Sequence, residues 1–405
     1  MIPLEQAQET ILKKVELLGT ERVDIMGALG RVLAEDIYAT RILPPWDNSA
    51  MDGYAVRCED ITNATRSDGV TLRVVEFVPA GRLPQRSVKS GEAVKIMTGA
   101  PMPEGADAVV MVEETRSERE DEVLIFQPAT PGQNVRRAGE DVRQGGMVLS
   151  RGTLVGPAEV GMMAALGRSI VSVHQRPLVA ILSNGDELVD VDEMPAGHQI
   201  ISANCYSLTA CVLECGAVPL RLGIARDTVE DIRIRLKEGL RADVILISAG
   251  VSMGEKDLVN SALEDLGFDL HFWKVAIKPG KPTAFGILGS KLTFGLPGNP
   301  VSAMVTFELF VRPALRKMMG HNQLFRPTVE AIMDEDYRQK RGRKNFLRVV
   351  LSLKDGKVHA SLTGEQGSGI LRSMVLANGL AIISEETTKV RKGEKIRVYL
   401  LRPLT

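Results

Sequence analysis

DVILISAG, residues 243–250, is an apolar, β-branched run of the kind found in a strand buried on both faces of a sheet, and it passes directly into a loop at 251–254. Beyond one helix-like segment lies KVAIKPGKP, residues 274–282, where Lys274, Lys278 and Lys281 are spaced along a backbone stiffened by two prolines and bent at Gly280. Such a loop suits an anion. A third loop, Pro297, Gly298, Asn299 and Pro300, opens a helix whose apolar positions Val301, Met304, Val305 and Leu309 recur at helical spacing. Each loop follows a predicted strand, so an open parallel sheet would gather all three at its carboxyl edge, where such folds bind ligands.

The same reading extends upstream. LVAILS at 178–183, PLRLGIA at 219–225 and HFWKVAI at 271–277 read as further strands, alternating with helices from Asn204, Thr228 and Leu258. The fold class is therefore multi-domain α/β and β, with a central doubly wound α/β domain over 176–325. Residues 1–44 plus 142–175 form a small mixed linker or dimerisation domain, with a short helix expected near Ala28 to Ala34. The paired prolines Pro44 and Pro45 lead into a β-rich insertion at 45–141, and short strands return in a C-terminal β-domain at 326–405.

Composition narrows the function classes. With 50 basic against 51 acidic residues, the chain carries no general charge for nucleic acid or a membrane surface, so an anion site must be local. Aromatic residues make up 4%, too few for base-stacking platforms. No run approaches the length of a membrane span and the N-terminus lacks a signal pattern, which predicts a cytoplasmic protein. The four cysteines read as reduced, buried thiols, and the five histidines are scattered without metal-ligand spacing.

Chemistry concentrates in a few places. Asp186 and Glu187 follow the strand LVAILS and sit at the mouth of the sheet, where hard carboxylate oxygens together with phosphates suit Mg²⁺. Asp227 stands before Thr228, with Glu230 three residues on, so a helix-capping role and a ligand role both remain open. Ser248, Gly250 and Ser252 offer hydroxyl and backbone N–H groups near a helix N-terminus, and Asp257 is either a cap or a site residue.

SAGVSMGEKD, KVAIKPGKP and GLPGNPVSA, with SNGDEL at 183–188 and DNSAMDGYAV at 47–56, resemble the molybdenum insertase family of molybdenum cofactor synthesis, which includes MoeA and the gephyrin E domain. The five motifs occur in the family's order, and the resemblance runs over essentially the whole chain. Two positions depart from it: Ala249-Gly250 where the family more often has two glycines, and Asn184 where it has threonine. The resemblance implies a Mg²⁺-dependent transferase that accepts molybdate and adenylylated molybdopterin, and releases AMP and molybdenum cofactor. It implies catalytic roles for Asp186, Glu187, Asp52, Thr98, Asp141, Asp227 and Asp257. Ligand contacts are implied from Ser248, Gly250, Ser252, Lys274, Lys278, Lys281 and the 297–300 loop. It also implies a homodimer in which the β-rich domain completes the partner's site, with a molybdopterin adenylyltransferase as substrate donor and molybdoenzyme maturation factors as recipients. Two other readings stand beside it: the adenylyltransferase step, which needs only the α/β domain, and a scaffold of the gephyrin kind.

Overall fold

Six strands build the central sheet of the computed structural model, which describes residues 1–249 and 258–404: β1 (Leu178–Asn184), β2 (Val218–Ala225), β3 (Val244–Ser248), β4 (Phe268–Phe272), β5 (Ala284–Leu288) and β6 (Lys291–Leu296). Their order is β2-β1-β3-β6-β5-β4. The first four are mutually parallel, and at one edge β5 alone is reversed, pairing antiparallel with both β6 and β4. Successive side chains on a strand point to opposite faces, and the sequence exploits this. Val179, Ile181, Val244 and Leu246 pack into one core cluster with helix α1 (Ala203–Glu214). Ala180, Leu182, Ile245 and Ile247 pack into a second with α2 (Val229–Gly239) and α3 (Leu258–Asp265) on the other face. A sheet buried on both sides needs such unbroken apolar runs, which is what LVAILS and VILIS provide.

After β6 the chain enters α4 (Pro300–Thr306), with Pro300 at the first helical position, where its missing N–H is no loss. A π-helical turn, Phe307–Val311, leads to α5 (Arg312–Met318). Glu308 in that turn is half of a largely buried ion pair: Arg326 reaches its two carboxylate oxygens through Nε and Nη2 at 2.9 Å each, and Arg312 stands 3.7 Å away. The C-terminal strands Thr328–Met333, Lys344–Lys354, Lys357–Leu362, Gly379–Ile383 and Lys395–Leu400 close into a barrel, since Lys344–Lys354 pairs with both Lys357–Leu362 and Gly379–Ile383. Closure leaves none of them a free edge.

The strand expected over 271–277 is divided. Phe268–Phe272 is antiparallel in the central sheet, while Ile277–Lys278 leaves it and pairs in parallel with Lys344 and Asn345 of the barrel. Apolar periodicity cannot tell which sheet a short run joins, and two residues of pairing carry no pattern of their own. No helix forms at 28–34. Gly30 has φ +75°, and Val32 and Leu33 make bridges to Leu154 and Val173 instead.

A second unit, Glu35–Thr153 with Pro157–Ser169, holds its own six-stranded sheet. Its order in space is Ala108–Met111, Gly53–Val56, Glu92–Ile96, Val70–Val78, Glu122–Ile125, Thr115–Arg119. Tyr54, Val56, Ile61, Leu72 and Ile125 lie in one of its cores, and Val78, Val94, Ile96 and Val109 in another.

Candidate functional site

Because β1, β2, β3 and β6 are parallel, their carboxyl ends and the loops that follow share one edge. β1 delivers Gly185, Asp186 and Glu187; β2 delivers Arg226 and Asp227; β3 delivers Ala249; β6 delivers the 297–300 loop. Asp186 and Asp227 clasp each other. Asp186 N–H donates to Asp227 Oδ2 at 3.4 Å, and Asp227 N–H donates to Asp186 Oδ1 at 3.2 Å. The capping question at Asp227 is answered by its neighbour: Thr228 is the N-cap, its hydroxyl accepting from Asp231 N–H at 3.2 Å. Asp227 is thus free of a cap's duty. Glu187 turns its carboxylate back over Gly185, so a Cβ at 185 would meet Glu187 Oε2 at 2.4 Å, at a φ of +146° that favours glycine.

Among the described residues, two cavities open beside these loops. The first, about 340 Å³, is lined by Ser183, Glu187, Ile200, Asn204, Ser248 and Gly298 among others. Asn204 ties its walls together, donating through Nδ2 to Ser248 Oγ at 2.9 Å and to the Gly298 carbonyl at 2.7 Å. Ala249 beside it holds a φ of +77°, a strained conformation for a residue with a Cβ.

The second cavity, about 750 Å³, is basic: Lys278, Lys281, Arg338 and Arg343 line it with Asn299 and Ser368. Among the described residues none of those four cations is held in an ion pair. Asn299 borders both cavities, so the 297–300 loop is their common wall. Its amide donates to Ser368 Oγ at 3.1 Å, and the buried Arg348 secures that segment by donating from Nη2 to the Gly367 carbonyl at 3.0 Å. Gly280, with φ +105°, lets the lysine loop pass close to Thr306.

Lys274 does not line either cavity; its ammonium lies 3.4 Å from the centre of the Trp273 ring. Gly250, Ser252 and Asp257 fall outside the described residues. In the second unit, Asp52 Oδ1 accepts from both the N–H and the hydroxyl of Thr98 at 2.7 Å each, and the backbone N–H above all holds its carboxyl below the usual range. Asp141 is exposed in the same unit. Arg338, Arg343, Gln366 and Ser368 escaped the sequence reading. The one signal for the two arginines was charge density, five cations among residues 338–344, and Gln366 and Ser368 had none.

Among the described residues no cluster of three or more His, Cys, Asp or Glu forms a self-sufficient metal cage. Mg²⁺ does not require one, since it takes one or two carboxylates and completes its shell with phosphate oxygens and water. The clasped Asp186 and Asp227 present hard oxygens from one spot and fit that demand.

Fold and site together define an α/β protein with carboxylates and two cavities at the carboxyl edge of its sheet, and a barrel supplies half of the cations that line the larger cavity. Residues 2–167 match the MoeA N-terminal region (domain I and II), 180–317 a probable molybdopterin binding domain, and 330–401 the MoeA C-terminal region (domain IV). The chain is 38% identical to molybdopterin molybdenumtransferase 2 of Mycobacterium tuberculosis over 405 residues, covering 98% of this chain and 99% of that one. Molybdopterin molybdenumtransferase of a Nostoc species is 37% identical, over 94% of this chain and 89% of its own. A crystal structure of the molybdopterin biosynthesis MoeA protein of Pyrococcus horikoshii superposes with a TM-score of 0.84 at 34% identity, covering 99% of this chain and all of that one. This chain belongs to the MoeA, or molybdopterin molybdenumtransferase, family.

Proposed function

We propose that the protein inserts molybdenum from molybdate into adenylylated molybdopterin, releasing AMP and molybdenum cofactor. The observation that carries this reading is the basic cavity, which shares the 297–300 loop with a smaller, mostly uncharged one. The chemical difficulty is crowding of anions, because a dianionic oxyanion must approach a ligand that already bears phosphates. Lys278, Lys281, Arg338 and Arg343 offset that charge at one end. Ser248 and Asn204, linked by their hydrogen bond, give the neighbouring cavity a fixed polar wall against which the pterin is oriented. Asp186 and Asp227 would hold Mg²⁺, with Glu187 beside them to orient water. When bound, the ion neutralises charge at the phosphoanhydride oxygens.

The working unit in this reading is a homodimer acting in the cytoplasm, supplied by a molybdopterin adenylyltransferase. The Asp52 and Thr98 pair, carried on the second unit, completes the site of the partner chain; the family resemblance supports this. An adenylyltransferase reading is less favoured because half of the cavity's cations, Arg338 and Arg343, come from the C-terminal domain that such an enzyme has no need of. The test is to incubate pure protein with adenylylated molybdopterin, Mg²⁺ and molybdate and to follow AMP. AMP release that depends on molybdate is expected, and its absence overturns the proposal.

A further inference from the structure

We infer that Asn184 is a positioning residue: it aims the Asp227 carboxylate and, through it, sets the affinity of the carboxylate pair for a divalent cation. This rests on the reading above in taking Asp186 and Asp227 as the cation's ligands. Asn184 is the last residue of β1 and pairs with Ala225, the last of β2, so the register itself brings it beside Asp227 two residues further on. Its amide Nδ2 donates to Asp227 Oδ1 at 3.0 Å, while Asp186 N–H reaches Oδ2. Each oxygen of Asp227 therefore has its own donor, which fixes the plane of the carboxylate and leaves its remaining lone pairs aimed in one direction.

Stability does not explain the residue. Asn184 is 7% exposed, and its buried Oδ1 has no hydrogen-bond partner among the described residues. Reversing the amide would satisfy nothing, because it would set the carbonyl oxygen against the Asp227 carboxylate. A buried acceptor without a donor destabilises a fold, and here it is retained together with a donor to a carboxylate that caps no helix. An arrangement that disregards stability locally and orders a reactive group is characteristic of a functional site.

The experiment titrates Mn²⁺ alone, followed by electron paramagnetic resonance, into the full-length wild type, Asn184→Ala, Asn184→Thr, Asp227→Asn and the Asn184→Ala/Asp227→Asn double variant. Asn184→Ala is expected to weaken Mn²⁺ binding about tenfold with a melting temperature equal to or above that of the wild type. Asn184→Thr, which retains a hydroxyl donor, should recover part of the affinity. In the Asp227→Asn background, Asn184→Ala should change nothing further. The inference is overturned if the wild type binds no Mn²⁺, or if Asn184→Ala binds it normally, with or without a lowered melting temperature. It also falls if the tenfold loss persists in the double variant. A wild type that binds Mn²⁺ with the expected dependence on Asn184 but releases no AMP would remove the proposed function and leave this inference in place.

Discussion

Gly280→Ala should disable the basic cavity by geometry alone. A Cβ at this position would lie 2.4 Å from Thr306 Cγ2 and 3.2 Å from Ile277 Cδ1. Ordinary carbon contacts are about 3.5–4.0 Å, so the shortfall at Thr306 is roughly 1 Å. Thr306 cannot give way, since it is fully buried and its hydroxyl donates to the carbonyls of Ser302 at 2.8 Å and Ala303 at 3.1 Å, which fixes its rotamer. The loop must move instead, taking Lys278 and Lys281 with it. Two costs add: about 1–2 kcal/mol for an L side chain at positive φ, and about 1–3 kcal/mol for overpacking. A displacement near 1 Å of groups that hold a reactant costs about 10²-fold in rate. Urea unfolding and molybdate-dependent AMP release would measure both. Thr306→Ser in the Gly280→Ala background removes the obstructing methyl while keeping the hydroxyl, so it should restore most of the rate but only the overpacking part of the stability. If Gly280→Ala retains wild-type turnover, or if Thr306→Ser restores nothing, the loop is not held by this contact and the reasoning fails.

Four further outcomes are expected. Glu308→Ala removes the carboxylate that Arg326 and Arg312 share, and should cost about 3–5 kcal/mol in chemical denaturation; a loss below about 1 kcal/mol would mean that Glu214, 2.8 Å from Arg326, or water already offsets the charge. Asp334, which accepts from Lys354, Ser361 and His359, has its carboxyl held well below the usual range, chiefly by the Lys354 ammonium. A depressed pKa contributes stability that is present above about pH 4 and is lost as pH falls through the folded-state value, so the melting-temperature gap between wild type and Asp334→Asn should persist at pH 5–7 and shrink only in stronger acid. Burial pushes the thiols of Cys58 and Cys211 up to about 12 and that of Cys215 up to about 11, so iodoacetamide at pH 8 should label the urea-unfolded protein at those positions and leave the native protein unmodified. Finally, mixing inactive Asp52→Ala and Asp186→Ala proteins under conditions that exchange subunits should restore about a quarter of wild-type activity; a mixture that stays inactive after exchange is verified by mass would mean that each chain builds its own site.

Much of the α/β domain was legible because burial on both faces leaves an imprint in the chain. Val179 and Ile181 serve one core and Ala180 and Leu182 the other, so no position from 179 to 182 is free to be polar. The carboxylates at strand ends and the lysines flanking Gly280 were legible for a similar reason, since each stands at a break in an apolar pattern. Arg338 and Arg343 were not, because a cation that lines a cavity and one that faces solvent look alike in sequence when the cavity is assembled from distant segments. Lys274 is the converse case. It lies on the same segment as Lys278 and Lys281, but the chain changes sheets just after it, and its ammonium lies over the Trp273 ring. At Asp227 the capping pattern was real but displaced by one residue, which sequence boundaries do not resolve.

The pairing of Ile277–Lys278 with the barrel strand also bears on how the protein is made. Chain emerging from the ribosome can complete the parallel strands β1, β2, β3 and β6 and the carboxylate clasp as soon as Leu296 is free, and the smaller cavity once Pro300 has followed. The lysine segment has no barrel partner until Lys344 and Asn345 have been synthesised, and Ser368 follows later still. A chain made only as far as Pro300 therefore displays the carboxylates without the full set of cations, and the basic cavity takes shape only once residues 338–368 have followed. The basic cavity thus joins an early part of the chain, Lys278 and Lys281, to a late one, Arg338 to Ser368.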